Sequence, residues 1–262
     1  VSPFRAFAGF PTGMPARTVN ASHWYDIATL GLKRFDPREL RNAASPEEGR
    51  RAVRDRFVSA LSHFTGASET LGPHGAPTLI GEFGIPFDLN EGEAYGAWAA
   101  GDHSDAPWAQ HELAQSLMYD AMDRLMISST QWNYTASNRN DAAIGDGWNQ
   151  EDLSIYSIDQ EDISRGADSG GRAVKGFSRP YARRIQGEPL SVSFDATTAL
   201  FELTFNADPA VPAPTEIFVP AIHYPNGAKI IAEGCRIAWR GPIAELTAER
   251  PGPTNVTVTP IP

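Results

Sequence analysis

The chain has 262 residues and a formal net charge of −10, with a sequence pI near 5.1. No basic stripe is available to neutralise phosphates, so a nucleic-acid backbone is not the expected partner. Cys235 stands alone, which removes an internal disulfide or a cysteine metal cluster and makes it a small core hydrophobe by default. No apolar run reaches the roughly 18 residues needed to cross a bilayer.

Residues 1–18 are rich in Pro, Gly and Ala and read as a loop. Val19 to Asp26 reads as a short strand ending in His23-Trp24-Tyr25-Asp26, with Trp24 in the core. Asp36-Pro37-Arg38-Glu39 and Ser45-Pro46-Glu47-Glu48 each place a capping oxygen before a first-turn proline and a Glu three residues after the cap, so both predict helix starts. From the second, Val53, Phe57, Leu61 and Phe64 cover one face, and Arg50, Arg51, Arg54 and Arg56 read as a solvated remainder.

Thr78 to Glu82 reads as an apolar strand, Ile85 to Pro107 as a long loop, and Trp108 to Asp123 as a helix with Leu113, Leu117 and Ala121 in line. A further apolar strand, Leu125 to Tyr134, ends in Gln131-Trp132-Asn133-Tyr134 and is followed by a loop to Glu151 rich in Asn, Asp and Gly. Strands alternating with helices predict parallel β/α units. After about Arg165 the texture changes. Leu190-Val192-Phe194, Phe201-Leu203-Phe205, Ile217-Val219, Ile230, Ile237-Trp239 and Val256-Val258 alternate between turns, the pattern of a small antiparallel β-sandwich. The expected class is therefore α/β plus β, with an α/β domain over residues 1–170, a β-sandwich over 171–262 and the boundary near Gly170-Gly171.

Three successive strands end in polar and aromatic side chains. In a β/α barrel, chemistry collects at the carboxyl ends of the strands. Glu82 is presented there between Gly81 and Gly84; taken alone, such an acid is more often a surface residue after a strand than a catalytic one. Glycoside chemistry needs one ionised carboxylate to attack the anomeric carbon, a second, protonated carboxyl opposite it, and aromatics to face the sugar. Glu82 can be the nucleophile, and Tyr25 can hydrogen-bond it and favour its ionised state. Trp132 offers a flat face to a pyranose, while His23, Asn133, Trp148 and Asn149 can hold hydroxyls or border the ring; Trp148 could equally plug its loop. The histidines lack the i, i+4 spacing of a zinc helix, and Asn138 to Asp146 lacks the ligand spacing of an EF-hand, so no metal is expected. Neither a Gly-x-Ser-x-Gly elbow nor a Walker-type loop is present.

The segments Ala21-Ser-His-Trp-Tyr-Asp26, Ile80-Gly-Glu-Phe-Gly-Ile-Pro-Phe-Asp88, Gln131-Trp-Asn-Tyr134 and Gly145-Asp-Gly-Trp-Asn-Gln-Glu-Asp-Leu-Ser154 occur in that order. Together they resemble endoglycoceramidases and related glucosylceramidases of glycoside hydrolase family 5, and Arg172-Ala-Val to Arg179-Pro-Tyr181 resembles the entry to that family's C-terminal β-sandwich. The resemblance implies a (β/α)8 TIM barrel of which only strands six to eight are represented. It places His23 and Tyr25 at the end of strand six, Glu82 as nucleophile at the end of strand seven, and Trp132 as sugar platform at the end of strand eight. Trp148, Asn149 and Glu151 fall in the loop beside the glycone.

The resemblance implies no cofactor, a glycolipid substrate, and a retaining hydrolysis between glucose, or a glucose-linked glycan, and a lipid such as ceramide. Phe83, Phe87 and Trp108 lie on or near the loop that would border the aglycone. Family members carry an Asn-Glu pair on strand four whose Glu is the acid and base. Here Asn90-Glu91 follows the nucleophile strand instead. A missing N-terminal half or a second chain is therefore expected to supply strands one to five and the acid/base Glu, and the isolated chain is expected to be inactive. The alternatives are a β-glucanase or steryl-β-glucosidase of the same family, or a non-catalytic carbohydrate-binding relic.

Overall fold

The computed structural model describes residues 13–36, 43–141, 143–147 and 151–262. The chain divides into two compact units between Val174 and Lys175.

The first unit holds a three-stranded parallel sheet of β1 (Asn20–His23), β2 (Thr78–Phe83) and β3 (Ser128–Gln131), with β2 in the middle. Helices α1 (Ile27–Gly31) and α2 (Pro46–Glu69) connect β1 to β2, and α3 (Leu89–Ala99) and α4 (Ala109–Leu125) connect β2 to β3. The Ser45 hydroxyl caps α2 by accepting from Glu48 N at 3.1 Å, and the Glu48 carboxylate reaches back to Ala44 N at 2.8 Å. Val53, Phe57, Leu61 and Phe64 form the buried stripe of α2, and removing each such side chain from water contributes about 1.5–3 kcal/mol. At the far end of the same helix, buried Ser68 receives Asn20 Nδ2 at 2.9 Å and Thr78 Oγ1 at 2.7 Å, which ties the starts of β1 and β2 to one point.

Several expectations need correction. The strand expected over Val19 to Asp26 stops at His23, because Asp26 turns the chain by capping α1. The strand expected over Leu125 to Tyr134 is confined to Ser128–Gln131, since α4 runs through Leu125 and ends on left-handed Met126. The segment Ile85 to Pro107 is not a loop throughout. It contains α3 and a 3-10 turn at Ala106–Trp108, and α3 escapes notice because it opens on Asn90, Glu91 and Gly92 in left-handed conformation rather than on a capped first turn. Arg56 is not merely solvated: it pairs with Asp26 and lies 4.9 Å over the Phe57 ring. Phe83, Phe87 and Trp108 turn inward rather than lining the loop surface. All three are buried in the core of this unit, with Phe87 packed edge-to-face on Trp108 at 5.8 Å between centroids. Pro37, Arg38 and Glu39 of the other expected helix start lie outside the described residues.

The second unit contains two four-stranded antiparallel sheets packed around one apolar cluster. One sheet is ordered β4 (Tyr181–Arg184), β7 (Thr215–Phe218), β10 (Ile243–Ala248), β9 (Cys235–Arg240); the other is β5 (Gly187–Asp195), β6 (Leu200–Ala207), β11 (Gly252–Pro260), β8 (Ala228–Ala232). Phe194, Phe201, Leu203, Phe205, Ile217, Leu246, Val256 and Val258 fill the core. β4 and β10 were not anticipated, because Ala and Arg blur their alternation. Leu190, Ile237 and Trp239 face outward rather than inward, and Cys235 is only half buried, packed on the edge of the cluster.

Candidate active site

The register of the parallel sheet decides what meets Glu82. Its partner across the β1–β2 pair is His23, at a bulge between Ser22 and His23, and Trp24 N donates to Glu82 O at 2.9 Å just beyond. Around that bulge the side chains of His23, at the end of β1, and Tyr25, two residues on, meet at one carboxylate oxygen. Tyr25 OH donates to Glu82 Oε2 at 3.0 Å, and His23 Nδ1 lies 3.3 Å from the same atom. The Glu82 side chain keeps 30% of its surface exposed, enough for a reactant to approach. Burial, more than anything else, pushes the Tyr25 hydroxyl well above the usual tyrosine range; the Glu82 hydrogen bond and charge add to it, and the Glu151 and Asp146 charges follow. Tyr25 therefore stays a proton-bearing donor.

Tyr25 is held between two anchors. Trp24 packs edge-to-face on Phe57 with centroids 5.2 Å apart. Asp26, buried, accepts from Thr29 N at 2.9 Å and Thr29 Oγ1 at 2.7 Å as well as from Arg56. The glycines around Glu82 serve the same packing: a Cβ on Gly81 would stand 3.1 Å from the His23 ring, and one on Gly84 would stand 2.2 Å from Trp132 O.

Trp132 leaves β3 with its amide on Phe83 O at 2.8 Å and a cis peptide to Asn133. Asn133 is engaged by the loop that follows. Its N–H donates to Leu153 O at 3.1 Å, its O accepts from Ile155 N at 2.9 Å, and its amide donates to Asp146 Oδ2 at 2.7 Å. Asp146 N in turn donates to Glu151 O at 2.7 Å, which fixes Glu151 in the loop whose charge is felt at Tyr25. Trp148 and Asn149 lie outside the described residues.

The Asn and Asp residues of this loop build turns. Asp141 accepts from Ala143 N at 2.8 Å, and Asp159 accepts from Asn140 N at 2.9 Å. Among the described residues, no group of three or more His, Cys, Asp or Glu is arranged to hold a metal ion.

Beneath the loop lies a pair that sequence reasoning did not single out. Arg172, fully buried, forks onto Asp152 with Nη1–Oδ2 at 2.9 Å and Nη2–Oδ1 at 2.6 Å, and also reaches Ser154 O and, at 3.3 Å, Asn140 Oδ1. Tyr95 OH donates to Asp152 as well, and the guanidinium carbon sits 4.0 Å over the Phe87 ring. Asn138 completes the carboxylate's partners at 3.2 Å. Both members stand in the quoted segments around Asp152 and Arg172, but nothing in the spacing signals that they meet. His111 stacks on Phe87 and its Nε2 lies 3.0 Å from Phe87 O; burial holds it down at about 3.

Comparison with known proteins fits this geometry. Residues 179–258 match the glycoside hydrolase family 5 C-terminal domain. A glucosylceramidase of Rhizopus delemar is 30% identical over 226 residues, 78% of this chain and 32% of that protein. A glucosylceramidase of Cryptococcus neoformans var. grubii is 31% identical over 232 residues, 79% of this chain and 30% of that protein. The chain thus spans about a third of the length of these relatives. Among solved structures, Cryptococcus neoformans sterylglucosidase 1 with tris superposes with a TM-score of 0.79 at 24% identity, covering 95% of this chain and 39% of that one. Endo-glycoceramidase II from Rhodococcus sp., in its ganglioside GM3 complex, gives 0.55 at 18% identity over 96% of this chain and 44% of that one. The chain carries the glycoside hydrolase family 5 C-terminal domain over residues 179–258 and is glucosylceramidase-like over part of those relatives' length.

Proposed function

We propose that the protein is the nucleophile-bearing part of a retaining β-glycosidase that cleaves glucose, or a glucose-linked glycan, from a lipid aglycone. The observation that carries this reading is the convergence of Tyr25 and His23 on Oε2 of Glu82 at the carboxyl ends of adjacent parallel strands. The Tyr25 hydroxyl donates to that oxygen and orients the carboxylate, with the His23 ring beside it. Glu82 attacks the anomeric carbon as the glycosidic C–O bond breaks; the electron pair goes to the leaving oxygen, which takes a proton from a general acid. Water then opens the glycosyl-enzyme, giving its proton to the same residue. Trp132 faces the sugar ring, and Glu151, with Trp148 and Asn149, borders it.

In this reading β1, β2 and β3 are strands six to eight of a (β/α)8 barrel, residues 1–170 form its partial catalytic domain and residues 171–262 the C-terminal sandwich. Strands one to five and the general acid come from further polypeptide. The short span relative to the relatives supports this, as do the edges of β1 and β3, which have one strand partner each among the described residues. The lipid aglycone draws support from the relatives' names, which include an ergosteryl-beta-glucosidase of Saccharomyces cerevisiae, 28% identical over 159 residues.

The deciding experiment treats the completed enzyme with a 2-fluoro glucoside and maps the label by mass spectrometry. A label on a peptide containing Glu82 is expected; a label on Glu91 or Glu151 overturns the assignment. A sugar complex that forms without turnover in the completed protein identifies the non-catalytic relic instead.

A further inference from the structure

Both chain neighbours of Tyr25 are held by one helix. On its N-terminal side, the Trp24 N–H donates to Glu82 O at 2.9 Å, and the indole packs edge-to-face on Phe57 of α2 with centroids 5.2 Å apart. On its C-terminal side, buried Asp26 divides its carboxylate between two holders. Oδ2 accepts from Thr29 N at 2.9 Å and from Thr29 Oγ1 at 2.7 Å, which closes the first turn of α1. Oδ1 accepts from Arg56 Nη1. The cap on α1 does not need that second bond. Arg56 belongs to α2, and its guanidinium carbon lies 4.9 Å from the centroid of the same Phe57 ring that Trp24 meets. Two consecutive residues of α2, Arg56 and Phe57, thus grip residues 26 and 24. The Arg56 side chain is still 41% exposed, so filling the core does not account for it. What it adds is a fixed distance between α2 and the turn that carries Tyr25.

We propose that Arg56 is a positioning residue for the reaction: by holding Asp26 while lying on Phe57, it fixes the chain on both sides of Tyr25 and so sets the Tyr25 hydroxyl on Glu82 Oε2. The inference rests on the reading of Glu82 as the nucleophile. The tyrosine hydroxyl stands at the end of a long, rigid side chain, so a small change in backbone direction at residue 25 is magnified where it meets the carboxylate. Catalytic groups must be held within about 0.5 Å and about 10–20° of their working geometry, and a displacement of about 1 Å can cost about 10²-fold in rate. Arg56 bonds Asp26, not Glu82, so its effect on the carboxylate passes through Tyr25. The guanidinium plane suits the double task, since it donates at its edge while its face rests on an aromatic ring; a lysine keeps the charge but not the plane.

The test is a double-mutant cycle in the completed enzyme. Arg56→Met should lower kcat about tenfold with KM changed by less than about twofold, and Arg56→Lys should recover part of the loss. Arg51→Met, on an exposed position of the same helix, should leave kcat unchanged. In the Tyr25→Phe background, Arg56→Met should have less than about a twofold further effect, because the hydroxyl it places is gone. An arginine that only stabilises the fold would cost the same factor in both backgrounds, and that additivity overturns the proposal. Asp26→Asn is a second, milder variant: an amide has one acceptor oxygen and must release either Thr29 or Arg56, so it should show the same dependence on Tyr25. A readout free of activity uses residues 1 to 262 with 3-fluorotyrosine at position 25. Its fluorine NMR resonance should move with Arg56→Met and not with Arg51→Met; a resonance indifferent to Arg56→Met also overturns the proposal. If the resonance moves while the 2-fluoro glucoside fails to label Glu82, the glycosidase reading falls and the link from Arg56 to Tyr25 stands. A label on Glu82 with an additive cycle dismisses the role of Arg56 alone.

Discussion

The Tyr25 hydroxyl donates to Glu82 Oε2 over 3.0 Å, from one parallel strand end to its neighbour. Burial keeps that hydroxyl protonated, so it acts as a fixed donor to the carboxylate. In the completed enzyme, Tyr25→Phe should lower kcat about tenfold to a thousandfold, for a lost hydrogen bond to a charged group plus misorientation, with the thermal midpoint little changed. An unchanged kcat would mean that Tyr25 only packs.

Removing the proposed nucleophile has a chemical signature. Glu82→Gly should abolish hydrolysis of a natural glucoside, and azide added with an activated β-glucoside should restore turnover and give the α-glucosyl azide, since a small anion then attacks from the vacated face. Azide rescue that yields no glucosyl azide would remove Glu82 from that role.

The isolated chain should not hydrolyse glucosylceramide or a steryl glucoside. General acid assistance is worth about 10² to 10⁴ in rate, and a lipid alkoxide leaves poorly without it. Product formation by residues 1 to 262 alone, measured by mass spectrometry, would overturn the partial-barrel reading; addition of a polypeptide carrying the missing strands should restore activity.

The Arg172–Asp152 pair makes a stability prediction. Arg172→Met leaves a buried carboxylate facing Phe87 and Tyr95 and should cost about 3–5 kcal/mol, while Arg172→Met with Asp152→Leu should cost less than the single change. Urea unfolding of the three proteins decides it. A double variant at least as unstable as the single one would show that the pair is not a coupled ion pair.

His111 adds an acid dependence whose sign is fixed. Its pKa is about 3 in the folded chain against 6.5 when exposed, so the unfolded state binds the proton first. The stability contribution is complete above about pH 6.5 and is lost as pH falls toward 3, by up to about 1.4 kcal/mol per pH unit. Other carboxylates add their own acid dependence, so the measurement is the difference between wild type and His111→Gln in urea midpoint at pH 7 and pH 4.5. Parallel losses in the two proteins would show that His111 does not contribute.

Helix α2 was readable to its capping residue, because Ser45-Pro46 and a four-residue apolar stripe encode it locally. The meeting of Tyr25 with Glu82 was open to inference for a different reason: parallel strands bring their carboxyl ends together whatever lies between. The loops were opaque. Helix α3 begins with a left-handed turn that no propensity anticipates, and the aromatics Phe83, Phe87 and Trp108 look like a substrate wall in sequence but pack inward because α4 and Arg172 lie against them. Asn133 reads as a sugar ligand in the sequence, and nothing there signals that its amide also donates to Asp146. Pairings separated by twenty or more residues, such as Asp152 with Arg172, leave no periodic trace.

Gly84 has a further consequence for anyone redesigning the proposed site. The space its side chain would need is taken by the Trp132 carbonyl, so position 84, just past β2, cannot be enlarged without displacing the Trp132 backbone next door. Mutational libraries aimed at new substrates will find tolerant positions on the loops beyond β1 and β2, and a nearly closed set of choices at the carboxylate itself.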